Sequence, residues 1–387
     1  MIRGLIGPKA IVMTGGAIAL ALGPPGRALA QHGRPPMVYV VDSISAKGPL
    51  VLPGEAESEG LDINNLGEVV GWSAQSSGPK HAFKRSLLGS TIDLGAAYPL
   101  DTTVANGIND NSEVVGYRRV GISLQRAFYW SSSEGFVIMS HVNPPGVIAA
   151  RDYVAKAINN QGRIVGWALA DQVGYENDAI TWWHHDADPA IVYTAPAGFS
   201  NWVNDISDSS WFAGVEYDVA TNHYAGYRFR AGTLEYPPDP TPELRLDEVF
   251  AVNEAGTVVG STYYPSVGAS RAVRWRRSGN PLILGVLPGG AGTQAFDINE
   301  SEFVVGYDYR GGNAVQVERA FLFHYDFGMI ELPPPAWEGS PVVAKCRANA
   351  VNDRKENGLV QATGYCARNG MKHAVRWDIF VSEHPAP

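Results

Sequence analysis

The chain has 387 residues, of which 45% are hydrophobic and only 18% are charged, and its formal net charge is −9. An acidic chain has no long-range attraction for nucleic-acid phosphates or anionic lipid, which argues against both kinds of partner. The 43 glycines and 26 prolines indicate many turns, and together with 17 tyrosines and 10 tryptophans they favour an all-β protein.

Residues 1–30 are typical of a secretory signal peptide. Arg3 and Lys9 make the start positive, an apolar stretch follows, and Ala28-Leu29-Ala30 is an A-x-A cleavage site. The apolar stretch is short for a membrane span, so an uncleaved anchor is the weaker alternative. We therefore expect an exported chain that begins near Gln31, is secreted or periplasmic, and is not inserted in a membrane.

The next predicted element is a strand at about residues 38–44, and one pattern then recurs seven times. Each copy has an aliphatic residue, Asn, a polar turn, a short apolar run and Gly, followed by a loop and an Ala-aliphatic/aromatic-x-aromatic run. The fourth copy is degraded, and the seventh carries an insertion near residues 353–357. The aliphatic residues that open the copies are Ile63, Ile108, Ile158, Ile206, Val252, Ile298 and Val351. Their mean period is about 48 residues, which is typical of a repeat architecture.

Each copy predicts four short strands separated by turns rich in Asn, Asp, Ser and Gly. Four antiparallel strands at this period indicate a seven-bladed β-propeller in one domain, residues 31–387. A β-solenoid needs a shorter period, and separate sandwiches would not show equal units. The expected repeats are about 56–100, 101–150, 151–198, 199–245, 246–290, 291–340 and 341–387. The last repeat lacks a fourth strand, and the strand at residues 38–44 should supply it and close the ring.

The repeated runs, with His81-Ala82-Phe83 after the first of them, resemble the HAF-repeat family of probable extracellular repeat proteins. The resemblance covers about residues 56–380. It implies an extracytoplasmic β-repeat protein, and it supplies no established activity and no functional residues to transfer.

The repeated Asn suggests either calcium binding or an Asx-type cap. Asn109-Asp110-Asn111-Ser112-Glu113 is rich in oxygen ligands, but Asn159-Asn160-Gln161-Gly162 has no carboxylate, so we expect caps. The repeated Gly should mark a close backbone approach. One position of the repeat is basic in five copies, at His81, Arg126, Arg271, Arg319 and His373. These side chains could form an anion-binding ring, but bonds to a neighbouring blade are the favoured interpretation.

No catalytic motif is found in the sequence. It contains no G-x-S-x-G, H-E-x-x-H or P-loop pattern, and we expect no cofactor and no metal site. His184-His185-Asp186 could ligate a metal, but adjacent residues of a strand point to opposite faces, so a solvated turn is favoured. Cys346 and Cys366, the two cysteines of an exported chain, should form a disulfide.

Loop lengths predict where a ligand binds. The loops between strands two and three and the connections between blades vary in length, and in an up-down blade both emerge on one face, here called the variable face. Aromatic, acidic and basic side chains there suit a glycan or a peptide. The candidate ligand-binding residues are Trp202, Trp337, Tyr98, Tyr153, Tyr175, His141, Arg151, Asp152, His223, Arg245 and Arg310.

The leading hypothesis is a monomeric, non-enzymatic binding or scaffold protein for a glycan or a peptide or protein ligand. The alternative is an extracytoplasmic enzyme that acts on polysaccharide or another exported substrate. A carboxylate pair, or a carboxylate touching His141 or His223, would favour the enzyme.

Overall fold

The part of the chain that can be described consists of β-strands, turns and loops, as the composition predicts. The computed structural model describes residues 37–121, 124–143, 150–170, 177–193, 195–196, 198–238, 246–310, 317–337 and 345–385, with the backbone alone at 150, 151, 170 and 246. The predicted signal peptide lies outside these ranges. Val38–His384 form one compact unit; a second, Met1–Met37 with Pro385–Pro387, is described only at Met37 and Pro385. No helix among the described residues has the length and apolarity that a membrane span needs.

Seven four-stranded sheets form the blades of a propeller. The innermost strands are β2 (Glu57–Ile63), β6 (Thr102–Ile108), β10 (Ala150–Ile158), β14 (Phe199–Ile206), β18 (Leu246–Val252), β22 (Gly292–Ile298) and β26 (Lys345–Val351). The second strands are β3 (Val69–Ala74), β7 (Val114–Val120), β11 (Ile164–Ala170), β15 (Phe212–Asp218), β19 (Val258–Tyr264), β23 (Val304–Arg310) and β27 (Leu359–Arg368). The third strands are β4 (Lys80–Arg85), β8 (Leu124–Ser131), β12 (Asn177–Trp182), β16 (His223–Arg230), β20 (Ala269–Trp275), β24 (Val317–His324) and β28 (Met371–Pro385). The outermost strands are β5 (Thr91–Asp93), β9 (Gly135–Ile138), β13 (Ala190–Ile191), β17 (Thr233–Glu235), β21 (Leu282–Ile283), β25 (Gly328–Glu331) and β1 (Met37–Lys47).

The ring is closed by the N-terminal strand. The sheet of blade 7 has the order β1-β28-β27-β26, so the predicted closing strand is confirmed. It is longer than predicted and contacts blade 6 as well, since the backbone N–H of Tyr39 donates to Asp326 and its ring lies 5.2 Å from that of Phe303. Closure therefore joins the start of the chain to its last two blades.

The hydrophobic core consists of clusters between neighbouring blades. Each interface around the ring has one, including the interface between blades 7 and 1, where Ala350 and Ala374 pack with Ile63, Val69 and Phe83. The second strands are buried on both faces because a blade packs on each side. This explains why their Val-Val runs are continuous rather than alternating.

The repeated Gly marks a close backbone approach, as predicted. A Cβ at Gly116 would overlap the carbonyl oxygen of Val104, and one at Gly364 would overlap that of Arg347. Both carbonyls lie on the innermost strand, near a β-bulge that every blade has. Only a residue without a side chain leaves room for the bulged strand here.

The predicted disulfide is confirmed. Cys346 and Cys366 face each other across β26 and β27, with an S–S distance of 2.00 Å. Both cysteines are buried, so the bridge lies inside blade 7.

Candidate functional site

The turns between first and second strands form the turn face, and the repeated Asn joins each turn to the next except in blade 4, where Ser207 takes its place. Asn109 Oδ1 accepts the backbone N–H groups of Asn111 and Glu113, which is the predicted Asx cap. Its Nδ2 donates to the carbonyl oxygen of Asn159 in the next blade at 2.9 Å. Equivalent bonds run from Asn64, Asn159, Asn253, Asn299 and Asn352 to the next blade. The sequence predicts the cap but not the link between blades.

The residue after each of these positions forms a second ring. Each backbone N–H donates to the side-chain oxygen of the same position in the next blade, as from Asp110 to Asn160 at 2.7 Å. The members are Asn65, Asp110, Asn160, Asp208, Glu254, Glu300 and Asp353. Burial raises the pKa of Glu300 to about 7, and the nearby charges of Asp353 and Glu254 act in the same direction. Among the described residues no group of acidic, His or Cys side chains is arranged to hold a metal.

Three carboxyl groups bridge neighbouring blades in the central channel through hydrogen bonds. Asp205 accepts the backbone N–H of Ile206 at 2.8 Å and that of Val252, in the next blade, at 2.9 Å. Asp62 and Asp297 make the same pair of bonds. Burial raises the pKa of Asp62 to about 7 and that of Asp205 to about 6, and it also raises the pKa of Asp297. Asp62 and Asp205 therefore titrate between acid and neutral pH.

The bulge in each innermost strand directs one extra residue toward the axis. These residues are Leu61, Asn106, Lys156, Asn204, Phe250, Phe296 and Asn349. They line a channel cavity of about 210 Å³, together with Asp62, Asp205 and Asp297. These seven positions thus provide three amides, two phenyl rings, one aliphatic side chain and one ammonium group.

The variable face carries a cavity of about 260 Å³ in blade 4. Its lining includes two carboxylates, Glu216 and Asp218, with His223 and the rings of Tyr224 and Tyr236. Tyr224 is 40% exposed and Tyr236 is 46% exposed, whereas Glu216 is 6% exposed. The cavity therefore offers open aromatic surfaces beside a buried acceptor.

Glu216 is held by two phenols. Tyr193 and Tyr236 donate their hydroxyl groups to its two carboxylate oxygens, at 2.9 and 2.6 Å. Burial and the Glu216 charge raise the pKa of Tyr236, and burial, Tyr227 and Glu216 raise that of Tyr193. Both phenols therefore stay protonated and fix the carboxylate in one orientation.

Asp218 and His223 are cross-strand partners at the mouth of the same cavity. Asp218 accepts hydrogen bonds from the hydroxyl of Thr221 at 2.6 Å and from the backbone N–H of Ala220 at 2.9 Å. These bonds, with the nearby His223, lower the pKa of Asp218. The hairpin end thus presents an anionic carboxylate next to an imidazole.

The structure brings Trp202 and His223 together at this site. His223 is exposed and lines the cavity, and the half-buried Trp202 lies edge-on to Tyr224 at 6.2 Å. Trp202 supports the ring that lines the cavity.

The predicted residues of blade 3 lie at a separate place. Tyr153 is 1% exposed and donates its hydroxyl to Asn143 at 2.7 Å, and the buried Asp152 accepts the backbone N–H of Gln125 at 2.7 Å. His141 is exposed, with its ring 6.3 Å from that of Tyr153. These contacts join His141 and Asn143 to the first strand of blade 3.

The remaining predicted residues are spread around the variable face. Trp337 is half-buried against the core cluster of blades 6 and 7 and lies edge-on to His373 at 5.8 Å. Tyr98 packs under the guanidinium of Arg118 at 3.5 Å. Arg310 is exposed at the end of β23. Tyr175 and Arg245 lie outside the described residues, and Arg151 is described only in its backbone.

The recurring basic position bonds to neighbouring segments at Arg319, which donates to Asp308 at 3.1 Å, and at two further members. Arg271 donates to the carbonyl oxygen of Ala291 at 2.6 Å, and His81 lies 3.1 Å from Asp93. His184 and His185 lie in a turn, as predicted, where the His185 ring stacks on Tyr129 at 4.0 Å.

Sequence reasoning missed Glu216, Asp218, Tyr224 and Tyr236. All four belong to the degraded fourth copy, which matches the repeat pattern least well. The departure from the pattern was itself the signal, because a repeat position that loses its shared residue is free to serve another purpose.

No protein-family model matches this chain, and a comparison with curated proteins finds no match. Several solved structures resemble it at low identity. A puromycin-hydrolyzing peptidase of Mycobacterium tuberculosis has 11% identity and a TM-score of 0.45, and the match covers 77% of this chain and 47% of that chain. AofleA from Arthrobotrys oligospora has 11% identity, coverages of 76% and 90%, and a TM-score of 0.42. TolB from Acinetobacter baumannii has 9% identity, coverages of 82% and 83%, and a TM-score of 0.42. This chain spans about half of the peptidase, and none of these likenesses carries an argument about function.

Proposed function

We propose that this protein is an exported, non-enzymatic binding propeller of the HAF-repeat type that holds a glycan on its variable face, at the blade 4 cavity. The observation that carries the proposal is the pairing of two half-exposed tyrosine rings, Tyr224 and Tyr236, with the buried acceptor Glu216. Sugar rings have apolar C–H faces and hydroxyl edges, so they suit aromatic surfaces that adjoin fixed hydrogen-bond acceptors. The predicted signal peptide and the family resemblance support an extracytoplasmic location.

A glycan array with the chain that starts at Gln31 tests the proposal. Tyr224→Ala should weaken binding of the identified glycan by about tenfold or more, which is about 1.4 kcal/mol, because an exposed aromatic anchor is lost. Tyr263→Ala is the matched control, since Tyr263 is 51% exposed at the corresponding hairpin of blade 5 and does not line the cavity. Unchanged binding by Tyr224→Ala, or an equal loss in both variants, would refute this location.

The alternative function is a polysaccharide-degrading enzyme, and one observation favours it. Glu216 and Asp218 line the same cavity as His223, which is the combination of carboxylates and imidazole that acid–base chemistry uses. Incubation with the bound glycan, followed by an assay for new chain ends, separates the two functions. A binding protein releases no products. An enzyme does, and Asp218→Asn should then abolish turnover while the glycan still binds.

A further inference from the structure

Lys156 is the one cation among the described residues that line the channel cavity. Lys156 is the bulged residue of β10, and its side chain lines the channel cavity. Among the residues that the structure describes, none forms a hydrogen bond or an ion pair with its ammonium group. Burial lowers the pKa of Lys156, and no neighbouring charge opposes that effect. An unpaired charge away from water is costly, which makes this lysine a candidate for ligand binding.

The acidic groups nearest to Lys156 in the cavity are already bonded. Both oxygens of Asp62 accept backbone N–H groups, from Ile63 and Ile108, and Asp205 and Asp297 are engaged in the same way. Burial raises the pKa values of all three carboxyl groups, and Asp62, whose pKa is about 7, is only partly ionised at neutral pH. Because the oxygens of all three already accept backbone N–H groups, none of them is paired with Lys156.

Three amides supply hydrogen-bond acceptors to the same cavity. The Nδ2 groups of Asn106, Asn204 and Asn349 donate to backbone carbonyls of the next blade, at 2.8, 2.7 and 2.8 Å. Since Nδ2 is committed, the Oδ1 atoms remain to accept hydrogen bonds from a ligand. A ligand that satisfies them carries hydroxyl groups.

The remaining lining is apolar. Phe250 and Phe296 lie edge-to-face with ring centroids 5.3 Å apart, and Leu61 belongs to the same layer. This wall suits the C–H face of a compact ring, and the cavity of about 210 Å³ suits a molecule of monosaccharide size.

We propose that the channel is a second binding site, separate from the blade 4 cavity, for a hydroxylated carboxylate of the size of one hexuronic acid residue. The carboxylate pairs with Lys156, the hydroxyl groups donate to the Asn oxygens, and one ring face packs on Phe250 and Phe296. The turn-face mouth carries acidic side chains, among them Glu254, Glu300 and Asp353, which disfavour entry of an anion from that side.

Isothermal titration with D-glucuronate and with D-glucose tests the site. Glucuronate should bind at least about tenfold more tightly than glucose, because only the acid neutralises Lys156. Lys156→Met should remove this preference, Lys156→Arg should keep it, and Lys345→Met, which removes an exposed lysine elsewhere, should leave it unchanged. Equal binding of the two sugars, no binding of glucuronate, or a preference that survives in Lys156→Met would overturn the proposal.

A second measurement uses the unmodified protein, so it does not depend on how the variants fold. Acetylation by an N-hydroxysuccinimide ester, read by peptide mass spectrometry, should be slowed at Lys156 by glucuronate and not at Lys345. Labelling of Lys156 that is insensitive to glucuronate would contradict the site.

Two further comparisons identify the source of the ligand and separate this site from the proposed function. Tighter binding of a glucuronate-terminated oligosaccharide than of free glucuronate identifies a polymer end as the ligand, and the reverse identifies a free sugar acid. Tyr224→Ala should leave glucuronate binding unchanged. Loss of glucuronate binding in that variant would place the acid in blade 4 and overturn the channel site.

Discussion

Blades 4 and 7 depart most from the repeat, and they use the same structural position in opposite ways. In blade 7 the cross-strand pair of first and second strands is Cys346 and Cys366, and it is joined covalently. In blade 4 the same register pair is Asn201 and Glu216, and it lies beside an open cavity. Both pairs are buried, so the packing position is shared while the chemistry differs.

The other departures follow the same division. In blade 7 the inserted turn packs on the closing strand, since the Arg354 guanidinium lies 5.2 Å from the Tyr39 ring and bonds to Glu383 at 3.0 Å. In blade 4 the turn has Ser207 where other blades have the ring Asn, and so it lacks one link to the next blade. Irregularity in blade 7 therefore serves closure, whereas irregularity in blade 4 accompanies a binding cavity.

Loss of the closing strand should have the largest effect. Deletion of residues 31–45 removes most of β1, exposes the edge of β28 and removes the contacts of Tyr39 with blade 6. The melting temperature, measured by circular dichroism, should fall sharply. A chain that starts at Met37 is the control and should melt with the chain that starts at Gln31. Equal stability of all three chains would show that the ring does not need this strand.

The disulfide of blade 7 should be next in size. The bridge spans a sequence separation of 20, and its loss through Cys346→Ala with Cys366→Ala should lower the free energy of unfolding by about 3 kcal/mol. Urea unfolding measures this change, and wild type under reducing conditions should show a similar loss. A loss below about 1 kcal/mol would mean that strand pairing alone holds blade 7.

The ring Asn gives a direct comparison of the two blades. Asn352 caps its own turn by accepting the Gln361 N–H at 2.7 Å and also donates to the carbonyl of Asn64 in blade 1 at 3.0 Å. Asn352→Ala should cost about 2 kcal/mol or more, since buried polar groups lose their partners. Ser207→Ala in blade 4 should cost about 1 kcal/mol. A larger loss at Ser207 would reverse the roles assigned to the blades.

Asp205, the carboxyl group that bridges blades 4 and 5, should make the stability of the protein depend on pH. Burial raises the pKa of Asp205 from 3.8 to about 6, so the folded state holds its proton more tightly than the unfolded state does. Its contribution is complete below pH 3.8 and is lost as the pH rises to about 6. In Asp205→Asn the decrease in unfolding free energy between these pH values should be smaller by about 1–2 kcal/mol, as measured by urea unfolding. An identical pH profile in wild type and variant would exclude this titration.

Several features follow from the sequence because local chemistry determines them. The period, the Val-Val runs and the closing strand predict seven blades, since each blade must bury both faces against its neighbours. The Asx caps and the close backbone approach at the repeated Gly also depend on residues that are near one another in the sequence. The links between blades, such as Asn109 to Asn159, join residues 50 positions apart. They could not be predicted, because a capping Asn looks the same whether or not its Nδ2 is used.

The candidate site was predicted less well for a related reason. The predicted loop positions of Trp202, His223 and Tyr153 are wrong, because these residues lie in β14, β16 and β10. Tyr153 and Trp337 have the same composition signal as the other two but lie against the core. Loop length indicates on which face of the propeller a residue lies, but it does not indicate whether the side chain is exposed. Exposure depends on how the connections fold over the blades, which single-sequence periodicity does not contain.

The smallest expected effect is a gain of stability in blade 4. Ser207→Asn would restore the repeated Asn in the blade 4 turn. This turn otherwise matches the others, since Asn159 already donates to the carbonyl of Ser207 at 3.1 Å. The new Nδ2 could reach the carbonyl of Asn253, as its equivalents do in the other blades, and raise the free energy of unfolding by about 0.5–1 kcal/mol. Urea unfolding measures the gain, and the glycan affinity of the same variant shows its consequence. If the missing link has no part in binding, the glycan affinity should stay unchanged, because the blade 4 cavity lies on the opposite face. A variant that is more stable but binds its glycan less tightly would show instead that binding requires mobility in blade 4, which the missing link allows.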